Sequence, residues 1–119
     1  MCLESLQGQR CENFTYSVVV VDNDADGSGY DAVERWRREM DIDVRYVVEP
    51  IQNISLARNR AVKESKGGLL AFVDDDEVVE ETWLLELMRA RDRYSADGVL
   101  GPVVPAYVGD APRWLVRSG

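Results

Sequence analysis

The fold of this chain is decided by the stretch Leu69-Leu70-Ala71-Phe72-Val73-Asp74-Asp75-Asp76-Glu77. Its five consecutive apolar residues predict a strand that is buried on both faces. Acids follow directly, and the ionisation of adjacent carboxylates is costly unless a cation or hydrogen-bond donors lie among them. Buried parallel strands end at the crevice in which open α/β sheets bind ligands. The stretch therefore predicts either metal or phosphate chemistry, or a solvated acidic turn ahead of the next helix.

The spacing of Asp74 and Asp76 favours a metal ion as the partner of this cluster. In an extended segment, side chains two residues apart point the same way. Two carboxylates that face the same way can share one hard divalent ion, Mg²⁺ or Mn²⁺, whose other positions go to water and substrate phosphates.

The rest of the chain alternates between strand and helix patterns. Strands are predicted over 16–21 and 43–48 by β-branched runs, and a run interrupted by prolines predicts an edge strand over 98–107. Apolar residues at helical spacing predict helices over 1–9 and 30–40. Asn53 or Ser55 is expected to cap a helix over 56–65 that ends before Gly67 and Gly68, and early acids with late arginines predict a helix over 83–94. This order predicts a single α/β domain over 1–119, with a mostly parallel sheet and flanking helices.

Composition excludes several functional classes. The net charge is −8 and no basic stripe is present, so nucleic acid is not expected as a partner. The chain has no histidine, which excludes serine–histidine and cysteine–histidine catalysis and histidine-ligated zinc. The cysteines Cys2 and Cys11 lack CxxC spacing, and no signal peptide is recognisable, so we expect a cytoplasmic protein with free thiols.

Two further residues are candidates for the same crevice. Asp22 ends the predicted strand over 16–21, so it is expected to face the crevice that Asp74 faces. A carboxylate there accepts hydrogen bonds from a ribose hydroxyl or a base N–H; the alternative is an Asp that only begins a turn or helix. Arg58 lies near the amino end of a predicted helix. It either meets a diphosphate and supports the acids, or pairs with a nearby acid at the surface.

Taken in order, these segments resemble the nucleotide-binding half of family 2 glycosyltransferases, which are inverting enzymes of the GT-A fold. The resemblance is carried by the strand that ends at Asp22, by Ser55-Leu56-Ala57-Arg58-Asn59-Arg60-Ala61, and by Gly67 ahead of Leu70-Ala71-Phe72-Val73-Asp74-Asp75-Asp76. It implies a nucleoside diphosphate sugar as donor, an acceptor hydroxyl, and Mn²⁺ or Mg²⁺ to stabilise the departing diphosphate. The nucleotide-binding residues that follow are Asp22, Asp24, Arg58, Asp74 and Asp75. The metal ligands are Asp74 and Asp76, and Asp75 is able to replace either neighbour.

The sequence departs from the family at both ends. Family members begin with a strand and a Pro-Thr-Tyr-Asn-like turn, which are not found here. In the family's sheet, this first strand lies between the strand that corresponds to residues 16–21 and the strand that corresponds to residues 69–73. The catalytic base normally lies further downstream than Gly119, so no catalytic residue is assigned. We therefore expect a portion of a glycosyltransferase that is weakly active or inactive alone. It is expected to associate with a second copy through exposed strand edges, or to have a rearranged sheet in which the two strands close together. The full enzyme is expected to associate peripherally with a membrane.

Two other classes fit parts of the pattern. A receiver-type or Asp-x-Asp phosphoryl-transfer domain also gathers acids around Mg²⁺ at strand ends. Such domains need a lysine after the acids, whereas the lysines here, Lys63 and Lys66, both precede them. The remaining alternative is an inactive interaction module.

Overall fold

The chain folds as an α/β domain around a parallel pair of strands. A computed structural model describes residues 2–107 and 109. Its elements, in chain order, are α1 (Cys2–Gln7), β1 (Val18–Asp22), α2 (Tyr30–Glu39), β2 (Val44–Val48), α3 (Ile54–Glu64) and α4 (Trp83–Tyr94). β1 and β2 pair in parallel, with Val18 opposite Val44 and Asp22 opposite Val48. The predicted class, a parallel sheet with flanking helices, is confirmed.

One face of the sheet is covered by α2. Val33 and Trp36 of α2 are buried together with Val44 of β2. Around this core lie partly buried side chains from alternate positions of the strands and from neighbouring segments: Val18, Val20, Tyr46, Leu3, Met40 and Ile42. Alternate residues of a strand share a face. The even-numbered positions of both strands therefore point towards α2.

The opposite face of the sheet is covered by α3. Arg45, which stands between two positions that point towards α2, forms an ion pair with Glu64 of α3. Asn53, one of the two caps expected for this helix, is the residue that caps it: its Oδ1 accepts hydrogen bonds from the N–H groups of Ser55 and Leu56 at 2.9 and 3.2 Å. None of the side chains of α3 is buried. Polar anchors at its two ends therefore contribute much of what holds it on the sheet.

Polar contacts attach residues 79–84 to α1 and to Gln9, which follows it. The buried side chain of Gln9 donates through Nε2 to the carbonyl oxygen of Glu80 at 2.8 Å and accepts from Leu84 N–H at 3.0 Å. Ser5 Oγ accepts from the N–H of Val79 at 3.1 Å. These bonds fix the segment that follows the acidic cluster and leads into α4.

Two of the predicted strands are wrong. Residues 69–73 form no ladder with β1, β2 or any other described segment, and the side chains of Leu69, Leu70 and Phe72 are 47%, 45% and 52% exposed. An apolar run is buried in a sheet only if neighbouring strands bond its backbone and helices cover it, and no described strand borders this run. Residues 98–107 also form no strand, because Pro102 and Pro105 remove N–H groups that a ladder needs.

No helix in the described part of the chain is both long enough and apolar enough to span a bilayer.

Candidate functional site

The carboxyl ends of both strands meet the amino end of α3 at one edge of the sheet. Glu49 N–H donates to the carbonyl oxygen of Asp22 at 2.8 Å. Asn23 donates through Nδ2 to the carbonyl oxygens of Glu49 and Ile51 at 2.8 and 2.7 Å, and its Oδ1 accepts from Asn53 N–H at 2.9 Å. Ligands of open α/β sheets bind at this kind of edge. We refer to residues 22–24, 49–53 and the first turn of α3 as the mouth.

The carboxylate of Asp22 is held by three donors. Tyr46 Oη donates to Oδ2 at 2.5 Å, Gly29 N–H donates to Oδ2 at 2.8 Å, and Asp24 N–H donates to Oδ1 at 3.0 Å. Desolvation raises the pKa of Asp22, but these hydrogen bonds outweigh it, so the pKa lies below its usual value. Desolvation, together with the bond to Asp22, raises the pKa of Tyr46 to about 12.

Asp22 therefore has the turn- and helix-initiating role that the sequence left open as an alternative. Its carboxylate joins the amino end of α2 to β2. Each carboxylate oxygen has two lone pairs. Among the described contacts Oδ2 uses both and Oδ1 uses one, so a single acceptor position remains for a ligand.

The turn between β1 and α2 is built closely around this carboxylate. Gly27 has a φ of +66°, and a Cβ on it would lie 3.3 Å from Tyr46 Oη. A Cβ on Gly29 would lie 3.0 Å from Asp22 Oδ2. Asp24 stands in the same turn, where hydrogen bonds from the Ser28 side chain and from Asp26 N–H hold its pKa below the usual value. Glycines at these two positions let the turn close on Asp22.

The acidic cluster is a β-turn rather than the end of a strand. Glu77 N–H donates to the carbonyl oxygen of Asp74 at 3.1 Å, and Asp74 N–H donates back to Glu77 Oε2 at 3.1 Å. The argument that Asp74 and Asp76 face the same way because the segment is extended is therefore wrong. Asp74 Oδ1 lies 3.5 Å from Nη2 of Arg58, and both side chains are more than half exposed.

The described contacts bring Asp74 to Arg58 but do not bring Asp22 to Asp74. The carboxylate of Asp22 faces α2, whereas Arg58 belongs to α3 on the other face. Among the described residues, no three His, Cys, Asp or Glu side chains are grouped closely enough to hold a metal ion. The donor set at the turn nevertheless suits Mg²⁺ or Mn²⁺. Mg²⁺ typically binds through one or two carboxylates together with waters and substrate phosphates, and Mn²⁺ shares its preference for oxygen ligands. The assignment of Asp74 and Asp76 as metal ligands stays a prediction.

Sequence reasoning missed Asn23, which belongs to the mouth, and Tyr46, which binds the carboxylate of Asp22. Asn23 directly follows the last residue of β1, and a polar side chain at that place is a recognisable signal for the edge that binds ligands. Tyr46 lies on the same face of the sheet as Asp22. The sequence does not show the strand register that brings the two side chains together, so it carried no signal for Tyr46.

The parallel strands, the mouth at their carboxyl ends and the acidic turn define an α/β domain with a partial GT-A, Rossmann-like fold. Residues 1–118 match the family described as Glycosyl transferase family 2. The chain belongs to that family.

The curated relatives of this chain include two proteins named as glycosyltransferases and one named as a succinoglycan biosynthesis protein. It is 48% identical over 102 residues to the succinoglycan biosynthesis protein ExoM of Rhizobium meliloti, covering 86% of this chain and 33% of the relative. It is 30% identical to the putative glycosyltransferase EpsH of Bacillus subtilis, covering 74% of this chain and 25% of the relative. It is 32% identical to the glycosyltransferase GlyA of Streptococcus pneumoniae, covering 84% of this chain and 14% of the relative. The chain thus spans a third or less of their lengths, and no solved structure matches it significantly.

Proposed function

We propose that this chain binds the nucleoside diphosphate sugar donor of a glycosyltransferase, for inverting transfer of a glycosyl group to an acceptor hydroxyl. The observation that carries the proposal is the pairing of Arg58 with Asp74 beside the mouth, in a chain of this family. A guanidinium and a carboxylate at this place are the groups that a diphosphate and its cation need.

Electrostatics supports a cation in this site. The chain has a net charge of −8, and the turn from Asp74 to Glu77 carries four acids. A diphosphate approaching such a surface is repelled unless a cation lies between the two. We assign Asp74 and Asp76 as ligands of Mn²⁺ or Mg²⁺. When bound, the ion stabilises the charge of the departing nucleoside diphosphate.

The other residues bind the nucleotide. Arg58 is close enough to Asp74 for its guanidinium to reach a diphosphate held at that carboxylate. Asp75 lies at the tip of the acidic turn and contacts the ribose or replaces a neighbouring ligand. Asp24 and the remaining acceptor position of Asp22 accept hydrogen bonds from ribose or base. The acceptor hydroxyl must lose its proton to a general base, a role that we assign to no residue of this chain.

Calorimetric titration of the chain with UDP and with GDP, each with and without Mn²⁺, tests this function. We expect heat with one of the nucleotides in the presence of Mn²⁺, and its disappearance when a chelator is added. Asp74→Asn and Asp76→Asn should each weaken the Mn²⁺-dependent binding by about tenfold or more, since even indirect partners of metal ligands contribute that much.

The matched control is Asp41→Asn, which removes an exposed acid from the opposite end of the sheet, between α2 and β2. We expect it to change the affinity by no more than about twofold, as surface substitutions do. Absence of heat with either nucleotide contradicts the proposal. Labelling of an Asp by acetyl phosphate in the same preparation would favour the receiver-type alternative.

The proposal includes association with a second copy of the chain. β1 contains four consecutive valines, and no described strand pairs with its outer edge. Phe72, 52% exposed, lies in the unpaired apolar segment over 69–73. Light scattering over a concentration series should give a dimer that dissociates on dilution, and Phe72→Glu should shift it to monomer. A monomer at every concentration contradicts this part.

A further inference from the structure

We propose that Asn23 is a positioning residue: its side-chain amide fixes the amino end of α3 to the ends of both strands and so holds Arg58 at the nucleotide site. This inference rests on the proposed function. Asn23 is only partly buried and stands next to Asp22, yet it contacts three backbone groups of the loop between β2 and α3.

The hydrogen bonds allow only one orientation of the amide. Nδ2 faces the carbonyl oxygens of Glu49 and Ile51, and Oδ1 faces the N–H of Asn53. A flipped amide would place its oxygen against two acceptors and its NH₂ against a donor. Both N–H groups of Asn23 are used, so the side chain is committed to the loop and is not available to donate to a ligand.

The contact continues from Asn23 into α3. Asn53, whose N–H is bound by Asn23, is also the residue that caps α3 through its own Oδ1. Arg58 follows five residues later, in the second turn of α3, and reaches Asp74. A rigid helical segment thus separates the residue that Asn23 holds from the guanidinium at the site.

The hydrogen bonds of Asn23 to the loop before α3, which we call the clamp, are important because few other contacts fix the position of this helix. No side chain of α3 is buried, so apolar packing does not determine its position closely. Its carboxyl end is anchored by the ion pair between Arg45 and Glu64, and Asn23 supplies the anchor at the other end. Loss of Asn23 should therefore let the amino end of α3 move and displace Arg58, while the rest of the fold remains.

A double-mutant cycle between Asn23→Ala and Arg58→Gln tests the inference. We expect Asn23→Ala to weaken binding of the UDP–Mn²⁺ or GDP–Mn²⁺ complex by about tenfold, because a displacement of about 1 Å at a site is sufficient for losses of that order. In the Arg58→Gln background the same substitution should change the affinity by less than about threefold, since residues that act as one unit are not additive. An equal loss in both backgrounds, or no loss in either, overturns the inference.

The control is Ser65→Ala, which removes the side-chain hydrogen bond from Ser65 Oγ to the carbonyl oxygen of Ala61 at the other end of the same helix. Affinities are compared at a temperature at which circular dichroism shows every variant to be folded. If Asn23→Ala does not fold, Asn23→Ser replaces it. A loss of affinity in Ser65→Ala as large as that in Asn23→Ala would show a general effect of helix stability and would overturn the inference.

Hydrogen exchange separates this inference from the proposed function. The N–H of Asn53 is bonded to Asn23 Oδ1, so it should exchange faster in Asn23→Ala and at the wild-type rate in Ser65→Ala. If the wild-type chain binds no nucleotide, the proposed function fails, and the exchange rate still decides the clamp: an unchanged rate at Asn53 in Asn23→Ala overturns it.

Discussion

The hydrogen bond between Tyr46 and Asp22 predicts how the stability of this chain depends on pH. Tyr46→Phe removes one oxygen atom and keeps the ring, which packs edge-on against Tyr30 with centroids 5.4 Å apart. A hydrogen bond to a charged group contributes about 1.5–3 kcal/mol. Both groups are partly exposed, so we expect a loss of about 1–2 kcal/mol at pH 7, or a fall in Tm of about 5 °C.

At acid pH the loss should become smaller. The folded chain lowers the pKa of Asp22, so the stability that its carboxylate contributes is present above the unfolded pKa of about 3.9 and disappears as the pH falls through the folded value. Tyr46→Phe removes one of the bonds that lower the pKa. The free energies of unfolding of wild type and variant should therefore converge between about pH 5 and pH 2.

At alkaline pH the difference should shrink for a separate reason. Folding raises the pKa of Tyr46 to about 12. The stability associated with its protonated hydroxyl is complete below the unfolded pKa of about 10 and is lost as the pH rises towards the folded value. Phenylalanine has no such proton, so the wild type should approach the variant as the pH rises from about 10 to about 12.

Urea denaturation followed by tryptophan fluorescence, repeated across this pH range, measures the difference. The control is Tyr107→Phe, which removes a hydroxyl from an exposed tyrosine outside the six elements. Its effect should stay within about 0.5 kcal/mol at every pH. A Tyr46→Phe effect that is independent of pH, or no larger than that of Tyr107→Phe, would refute the assignment of Tyr46 as the partner of Asp22.

Three further substitutions test the turn, the helix cap and the ion pair. Gly27→Ala forces a side chain into a φ of +66° beside Tyr46 and should reduce the free energy of unfolding by about 1–2 kcal/mol. At the control position, Gly98, an added Cβ would meet no atom within 4 Å, so Gly98→Ala should change the free energy of unfolding by at most about 0.5 kcal/mol. Equal effects of the two substitutions would argue against the close packing of the turn at Gly27. Asn53→Ala should cost about 1 kcal/mol in urea denaturation as a lost cap, and a larger cost for Ser55→Ala would contradict that role. Arg58→Gln should strengthen binding of Mn²⁺ alone by up to about fivefold, because an exposed ion pair that competes for Asp74 contributes at most about 1 kcal/mol. The same change should weaken nucleotide–Mn²⁺ binding about tenfold, and titrations in which both affinities change in the same direction would refute the competition.

Elements whose stability is largely local could be predicted from the sequence. The helix over 83–94 is observed as Trp83–Tyr94, with acids early and arginines late as the helix dipole favours. Asn53 was one of two candidate caps for α3 and is the residue that caps it. The β-branched runs gave both strands of the sheet to within about two residues. For the helix and the cap, the residues that determine the structure lie within or next to the element itself, whereas β1 and β2 also supply each other with the ladder that each strand needs.

The arrangement of the candidate site could not be predicted in the same way. Strand order places the carboxyl ends of β1 and β2 at one edge, but the parity of each residue decides on which face its side chain lies. Asp22 shares parity with Val20 and points towards α2, where Tyr46 and Gly29 bind it. Its partners depend on the register between two strands, which the sequence of either strand alone does not specify.

The segment over 69–73 shows why an apolar run does not by itself make a strand. A helix satisfies its backbone within one segment, whereas a strand needs the N–H and C=O groups of a neighbour. The described part of the chain supplies no neighbour for this run, and Phe72 is exposed in consequence. The conformation of the acids that follow is then determined by local hydrogen bonds, and the two bonds between Asp74 and Glu77 close a β-turn. A partner that pairs with residues 69–73 would extend the segment up to this turn, so the geometry of the acidic cluster depends on the pairing of the strand before it.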